Sequence, residues 1–103
     1  MTSLTRWQTL VAQQPNNELA RFSLGKALFD AGEFAAAREH FQIALAKKPD
    51  WMVVQILLGK CALALGHKAE ARAAFERGLQ LAVAQNHEGP REELEGLLGP
   101  WED

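Results

Sequence analysis

Displaced by 34 residues, this chain falls on itself. Leu24 lands on Leu58, Gly25 on Gly59, Lys26 on Lys60 and Gly32 on Gly66. The register continues through Ala35 and Ala69, Ala37 and Ala71, Arg38 and Arg72, Phe41 and Phe75, and Leu45 and Leu79. A fixed period of roughly 20–50 residues marks a repeat architecture, in which one supersecondary unit buries its apolar side only by stacking on its neighbour. Pro15 stands 34 residues before Pro49, and Trp7 stands 34 before Phe41, so the pattern starts with an incomplete copy.

The apolar spacing within the period is helical. Leu4, Trp7, Leu10 and Val11 form one stripe of a first helix that Pro15 stops. Asn16 or Asn17 can cap a helix running to about Asp30, with Glu18 favoured in its first turn. Gly32 ends that helix, and a partner follows from about Phe34 to Lys47. Asp50 is the natural cap for a helix over Trp51 to Leu65, and Gly66 turns the chain into Lys68 to about Ala84. No proline stops this helix, since Val83 holds the place of Pro49, so an extension toward Gln85 is expected. Asn86 to Pro90 breaks the pattern, and a short last helix carries Leu94, Leu97 and Leu98 on one side. From Gly99 a frayed tail is expected.

Leucine-glycine, then alanine, phenylalanine and proline over 34 residues resembles the tetratricopeptide repeat (TPR), a two-helix hairpin. Arg21 and Gln55 stand where that family carries tryptophan, and Leu28 and Ala62 where it carries tyrosine. The resemblance implies an all-α, right-handed solenoid of antiparallel helix hairpins with about six helices. It divides a single domain, 1–103, into a half-repeat at 1–15, repeats at 18–49 and 52–83, a capping helix at 88–98 and a tail at 99–103. Two repeats are fewer than a stacked array generally needs, so flanking helices or a second copy must supply the rest.

Glycine inside a helix costs about 1 kcal/mol relative to alanine. Gly25 and Gly59 therefore predict close approach of the two helices of each hairpin, with Ala37 and Ala71 as the small partners across it. Phe41 and Phe75 are expected to fill the seam between hairpins, and Leu24, Leu45, Leu58 and Leu79 to complete the layers.

In the family, the first helix of each repeat lines a concave face. The resemblance places Leu19, Phe22, Lys26 and Phe29 there from one repeat, and Val53, Ile56, Lys60 and Leu63 from the next, with Trp51 between them. Three readings of so much apolar surface stay open. Terminal helices cover it, or it is a groove for a partner peptide or helix, or it pairs with a second copy as a homodimer. Lys26 and Lys60 either lay their stems on apolar surface or receive carboxylates from an acidic peptide, the former being preferred. No inward asparagine is present for a clamp on a peptide's terminal carboxylate.

Other function classes find little support. A formal charge of −2 and a pI near 5.9 lack the basic footprint of a nucleic-acid binder. His40, His67 and His87 lie on different elements, away from metal-pair spacing, and His40 and His67 read as surface residues. Cys61 aligns with Ala27 and reads as a small packing residue, while Glu92, Glu93 and Glu95 read as a solvated helix side. No apolar run is long enough to span a membrane, and the N-terminus shows no signal peptide. The expectation is a soluble cytoplasmic protein-interaction module without cofactor, metal or catalysis.

Overall fold

The computed structural model describes residues 3–99. Its elements are α1 (Ser3–Gln13), α2 (Glu18–Asp30), α3 (Phe34–Lys47), α4 (Met52–Ala64), α5 (Lys68–Ala84) and α6 (Glu88–Leu98), with no strand among the described residues. Each helix packs on the next in chain order, the two hairpins α2/α3 and α4/α5 most closely. The result is an all-α stack with extents of 42 × 28 × 20 Å.

Local chemistry sets the boundaries. Asn17 Oδ1 accepts from the Ala20 amide at 3.1 Å, relieving one orphan donor of α2. Gly32 and Gly66 both sit at φ +81°, in the left-handed region that favours glycine. There the Glu33 amide reaches Leu28 O, and the His67 amide reaches Ala62 O, each at 2.8 Å. α5 closes the same way without glycine: Asn86 takes φ 57°, and the His87 amide donates to Ala82 O at 2.9 Å. Asparagine tolerates this region best among residues with a side chain.

Asp50 does not cap α4. The Trp51 amide bonds back to Lys48 O at 3.2 Å, which puts Trp51 at the N-cap with no side-chain cap bond. Asp50 is displaced one residue outward, and its carbonyl accepts from Gln85 Nε2 at 3.3 Å. Beyond Gly99, the expected tail lies outside the described residues.

Two apolar cores run through the stack. The first gathers Leu24, Phe41, Val54, Leu57 and Cys61, with Leu4, Trp7 and Leu10 of α1 packed against it. The second gathers Ile56, Ala62, Phe75, Leu81 and Leu94, with Leu97 and Leu98 beside it. α1 and α6 thus cover opposite ends, as a short array requires. No polar or charged residue is buried among those described.

The close approach at the helix glycines has a different partner from the one expected. Ala37 and Ala71 are buried, but what crowds Gly25 and Gly59 is the ring of Phe41 and of Phe75. Each ring lies over the glycine of its own hairpin rather than serving only as a plug between hairpins. An aromatic ring is thick, so the facing position must carry no side chain. Between hairpins, Arg38 of α3 grips Glu70 of α5 through two bonds, Nε to Oε2 at 2.6 Å and Nη2 to Oε1 at 2.5 Å. That bond holds the Glu70 carboxyl below its usual range, and raises the Arg38 guanidinium.

Candidate functional site

Asn17, Trp51 and His87 occupy the N-caps of α2, α4 and α6, and counting from them aligns the three helices. Leu19, Val53 and Gly89 form one row, Phe22, Ile56 and Glu92 a second, and Lys26, Lys60 and Gly96 a third. Phe29 and Leu63 begin a fourth. Spacings of three and four keep these positions on one side of each helix.

The structure treats the predicted residues unequally. Leu19 is 63% exposed, Val53 45% and Leu63 38%, all high for large apolar side chains. Lys26 is exposed as well, while Phe22, Phe29, Trp51 and Lys60 are half-buried. Phe22 and Trp51 stack across the α2–α4 junction, with ring centroids 5.0 Å apart. Phe29 turns edge-on to Phe34 at 5.4 Å, which ties it to its own hairpin. Ile56 departs from the expectation of an open position: it is buried in the second core, in the same cluster as Leu94 of α6. The C-terminal helix therefore covers part of the apolar excess of α4, and Val53 and Leu63 stay outside that cover.

Both lysines of the third row carry their own carboxylates. Lys26 Nζ bonds Asp30 at 2.8 and 3.0 Å, and lies 6.0 Å from the Phe29 ring. Lys60 Nζ reaches Glu93 of α6 at 3.1 Å. Beside Lys26 opens a cavity of about 500 Å³ between α1 and α2, lined by Leu4, Trp7, Phe22, Lys26 and Asp30 among others. From the sequence, Trp7 belongs to the apolar stripe of the first helix, Asp30 to a helix end and Glu93 to a solvated helix side, and none of them to this site. Trp7 stands in the register of Phe41, and Asp30 follows Lys26 by four residues, the usual spacing of a helical ion pair. Glu93 carried no such signal, because it meets Lys60 only through the packing of α6.

The remaining reactive groups sit elsewhere. His40 is not a surface residue: it is half-buried, with Nδ1 3.2 Å from Arg21 Nη1. Burial first, and the Arg21 charge second, lower its pKa. Burial pushes the Cys61 thiol up to about 11, as befits a packing residue. Among the described residues, no three of His, Cys, Asp and Glu gather as a metal would need. No helix among them is long and apolar enough to cross a membrane.

Stacked antiparallel helical hairpins capped at both ends define a helical-repeat solenoid. Sequence comparison makes the assignment specific. One tetratricopeptide repeat model matches residues 2–50, and a second matches residues 28–87, more than half of the chain. The chain belongs to the tetratricopeptide repeat family. It is 36% identical over 91 residues to the TPR repeat-containing protein PA0015 of Pseudomonas aeruginosa, an alignment covering 88% of this chain and 87% of that one. The solution structure of protein BPP2914 from Bordetella parapertussis superimposes with a TM-score of 0.83 at 33% identity, covering 97% of this chain and 87% of that one. TPR repeats generally mediate protein–protein interaction, and the family is typically non-catalytic.

Proposed function

We propose that this protein is a non-catalytic adaptor that binds another protein through the side shared by α2, α4 and α6. Residues 1–103 act as one unit in this reading, with the helix at 88–98 as its cap. The supporting observation is the combination of Leu19, Val53 and Leu63, all exposed on α2 and α4, with the cavity beside Trp7 and Phe22. Exposed apolar surface with an adjoining cavity is what a partner's anchor side chains bury. The cavity has room for one or two large side chains.

Site-specific cross-linking tests it. A photoreactive residue at position 19 or 53 should capture a discrete partner, and one at position 43 or 83 should not. Ile43 and Val83 are 40% and 51% exposed but belong to α3 and α5, so they control for surface hydrophobicity. Leu63→Glu should abolish capture while leaving helicity intact. Equal capture from all four positions, or capture indifferent to Leu63→Glu, would refute the assignment. Sedimentation separates the homodimer alternative: a dimer lost in Leu19→Glu would give this side to a second copy.

A further inference from the structure

Resting on that reading of the α2/α4/α6 side, we propose that its partner segment is basic: large apolar anchors for the α1–α2 cavity, with lysine or arginine directed to α6. The usual expectation for a side bearing two aligned lysines is an acidic ligand. Here the geometry points the other way. Lys26 is held by Asp30 and Lys60 by Glu93, so an incoming carboxylate would only exchange one ion pair for another. Pairs this exposed contribute little, and the exchange yields no net gain.

At the α6 end the unbalanced charge is negative, whereas Arg6 and Lys48 lie over the Trp7 and Trp51 rings toward the cavity end. α6 carries four glutamates against one arginine. Glu93 is occupied by Lys60, and Arg91 lies between Glu88 at 3.9 Å and Glu95 at 3.7 Å. Glu92 remains exposed and makes no ion pair among the described residues. It stands in the row of Phe22, which lines the α1–α2 cavity. A cationic group arriving there gains a pair without breaking one.

The glycines of α6 add an independent observation. Gly89 and Gly96 flank Glu92 at three and four residues, on one helical side. Among the described residues a methyl group on either would touch nothing within 4 Å, so no contact there repays the helix for these glycines. Missing side chains permit close approach of another backbone. From the cavity at α2 to α6 is roughly 20 Å, two helix spacings, which a 15-residue helix at about 1.5 Å per residue spans.

The experiment titrates the isotope-labelled full chain with two synthetic 15-residue peptides. Both carry the same amphipathic leucine pattern, one with lysine and one with glutamate at every polar position. The lysine peptide should shift the amides of Leu19, Val53, Gly89 and Gly96, bind at least tenfold tighter than its acidic counterpart, and weaken as salt is added. Glu92→Lys should remove most of that preference. Glu76→Lys, the same charge change on exposed α5 surface, should leave it largely in place. Equal or tighter binding of the glutamate peptide overturns the charge assignment. An equal effect of Glu76→Lys overturns it too, by reducing it to net charge. In both cases amide shifts confined to α2, α4 and α6 would keep the underlying interaction side. Shifts centred on Ile43 and Val83, or none with either peptide, would sink that reading as well.

Discussion

A methyl group on Gly59 would run into the ring of Phe75, and Gly25 stands in the same relationship to Phe41, where the nearest ring atom would lie 2.6 Å away. Both rings are fully buried, so neither can swing aside into solvent. Alanine ordinarily stabilises a helix by about 1 kcal/mol over glycine, but overpacking a tight core costs about 1–3 kcal/mol. Gly59→Ala should therefore lower stability by up to about 2 kcal/mol in chemical denaturation. Gly96→Ala, with open space around it, should raise stability by about 0.5–1 kcal/mol. If both substitutions stabilise, close approach is not why the repeat keeps its glycine.

This contrast also marks what could be read from the sequence. Period, helix ends and turn glycines were legible because they depend on local spacing: Gly32 and Gly66 both take the left-handed turn. Asn86 doing the same at the end of α5 was not legible, since its position follows no repeat register. Asp50 read as a cap because its type fits, yet the bond from Trp51 to Lys48 moved the cap by one residue. The rows of the candidate side were legible as positions on helices. Their occupancy was not: the burial of Ile56 and the Lys60–Glu93 pair both depend on where α6 docks.

The Arg38–Glu70 pair joins the two hairpins, with side chains 28% and 32% exposed. The register equivalents of these residues are Arg72 and Ala36, so the pair belongs to the junction rather than to each repeat. Two parallel bonds to one carboxylate are a strong geometry, yet at this exposure about 0.5–1 kcal/mol is expected. Glu70 has its pKa lowered by Arg38, so its contribution is complete above the unfolded value of about 4.3 and is lost as pH falls through the folded one. Glu70→Gln should lose about that amount at pH 7 and less at pH 3, measured by urea midpoint. An undiminished gap at pH 3 would assign the effect to packing.

Cys61 lies fully buried in the first core, and its thiol is pushed up to about 11 by burial. Thiolate, not thiol, attacks a disulfide reagent. The native protein should therefore resist an aromatic disulfide at pH 8 and react stoichiometrically once unfolded in urea. Between these limits the rate should follow the population of opened molecules. Prompt reaction in the absence of denaturant would show that the α3–α4 contact opens far more readily than its packing implies.

His40 supplies a second pH dependence, in a different window. Arg21 donates from Nε to Pro15 O at 3.2 Å and places Nη1 3.2 Å from His40 Nδ1. A guanidinium has no acceptor, so that ring nitrogen must be unprotonated for the contact to bond. Burial and the Arg21 charge lower the pKa of His40, against an opposing pull from Glu39. The unfolded chain, with a histidine pKa of about 6.5, then binds more protons than the native one, and stability rises with pH across that interval. This contribution is complete above about pH 6.5 and is lost as pH falls toward the depressed native value. Melting temperatures at pH 5 and pH 7 should differ, and His40→Gln should shrink the difference by removing the ionisable ring. Arg21→Gln should shrink it less, because burial, the larger cause, remains. An unchanged difference in His40→Gln would place the titrating group elsewhere.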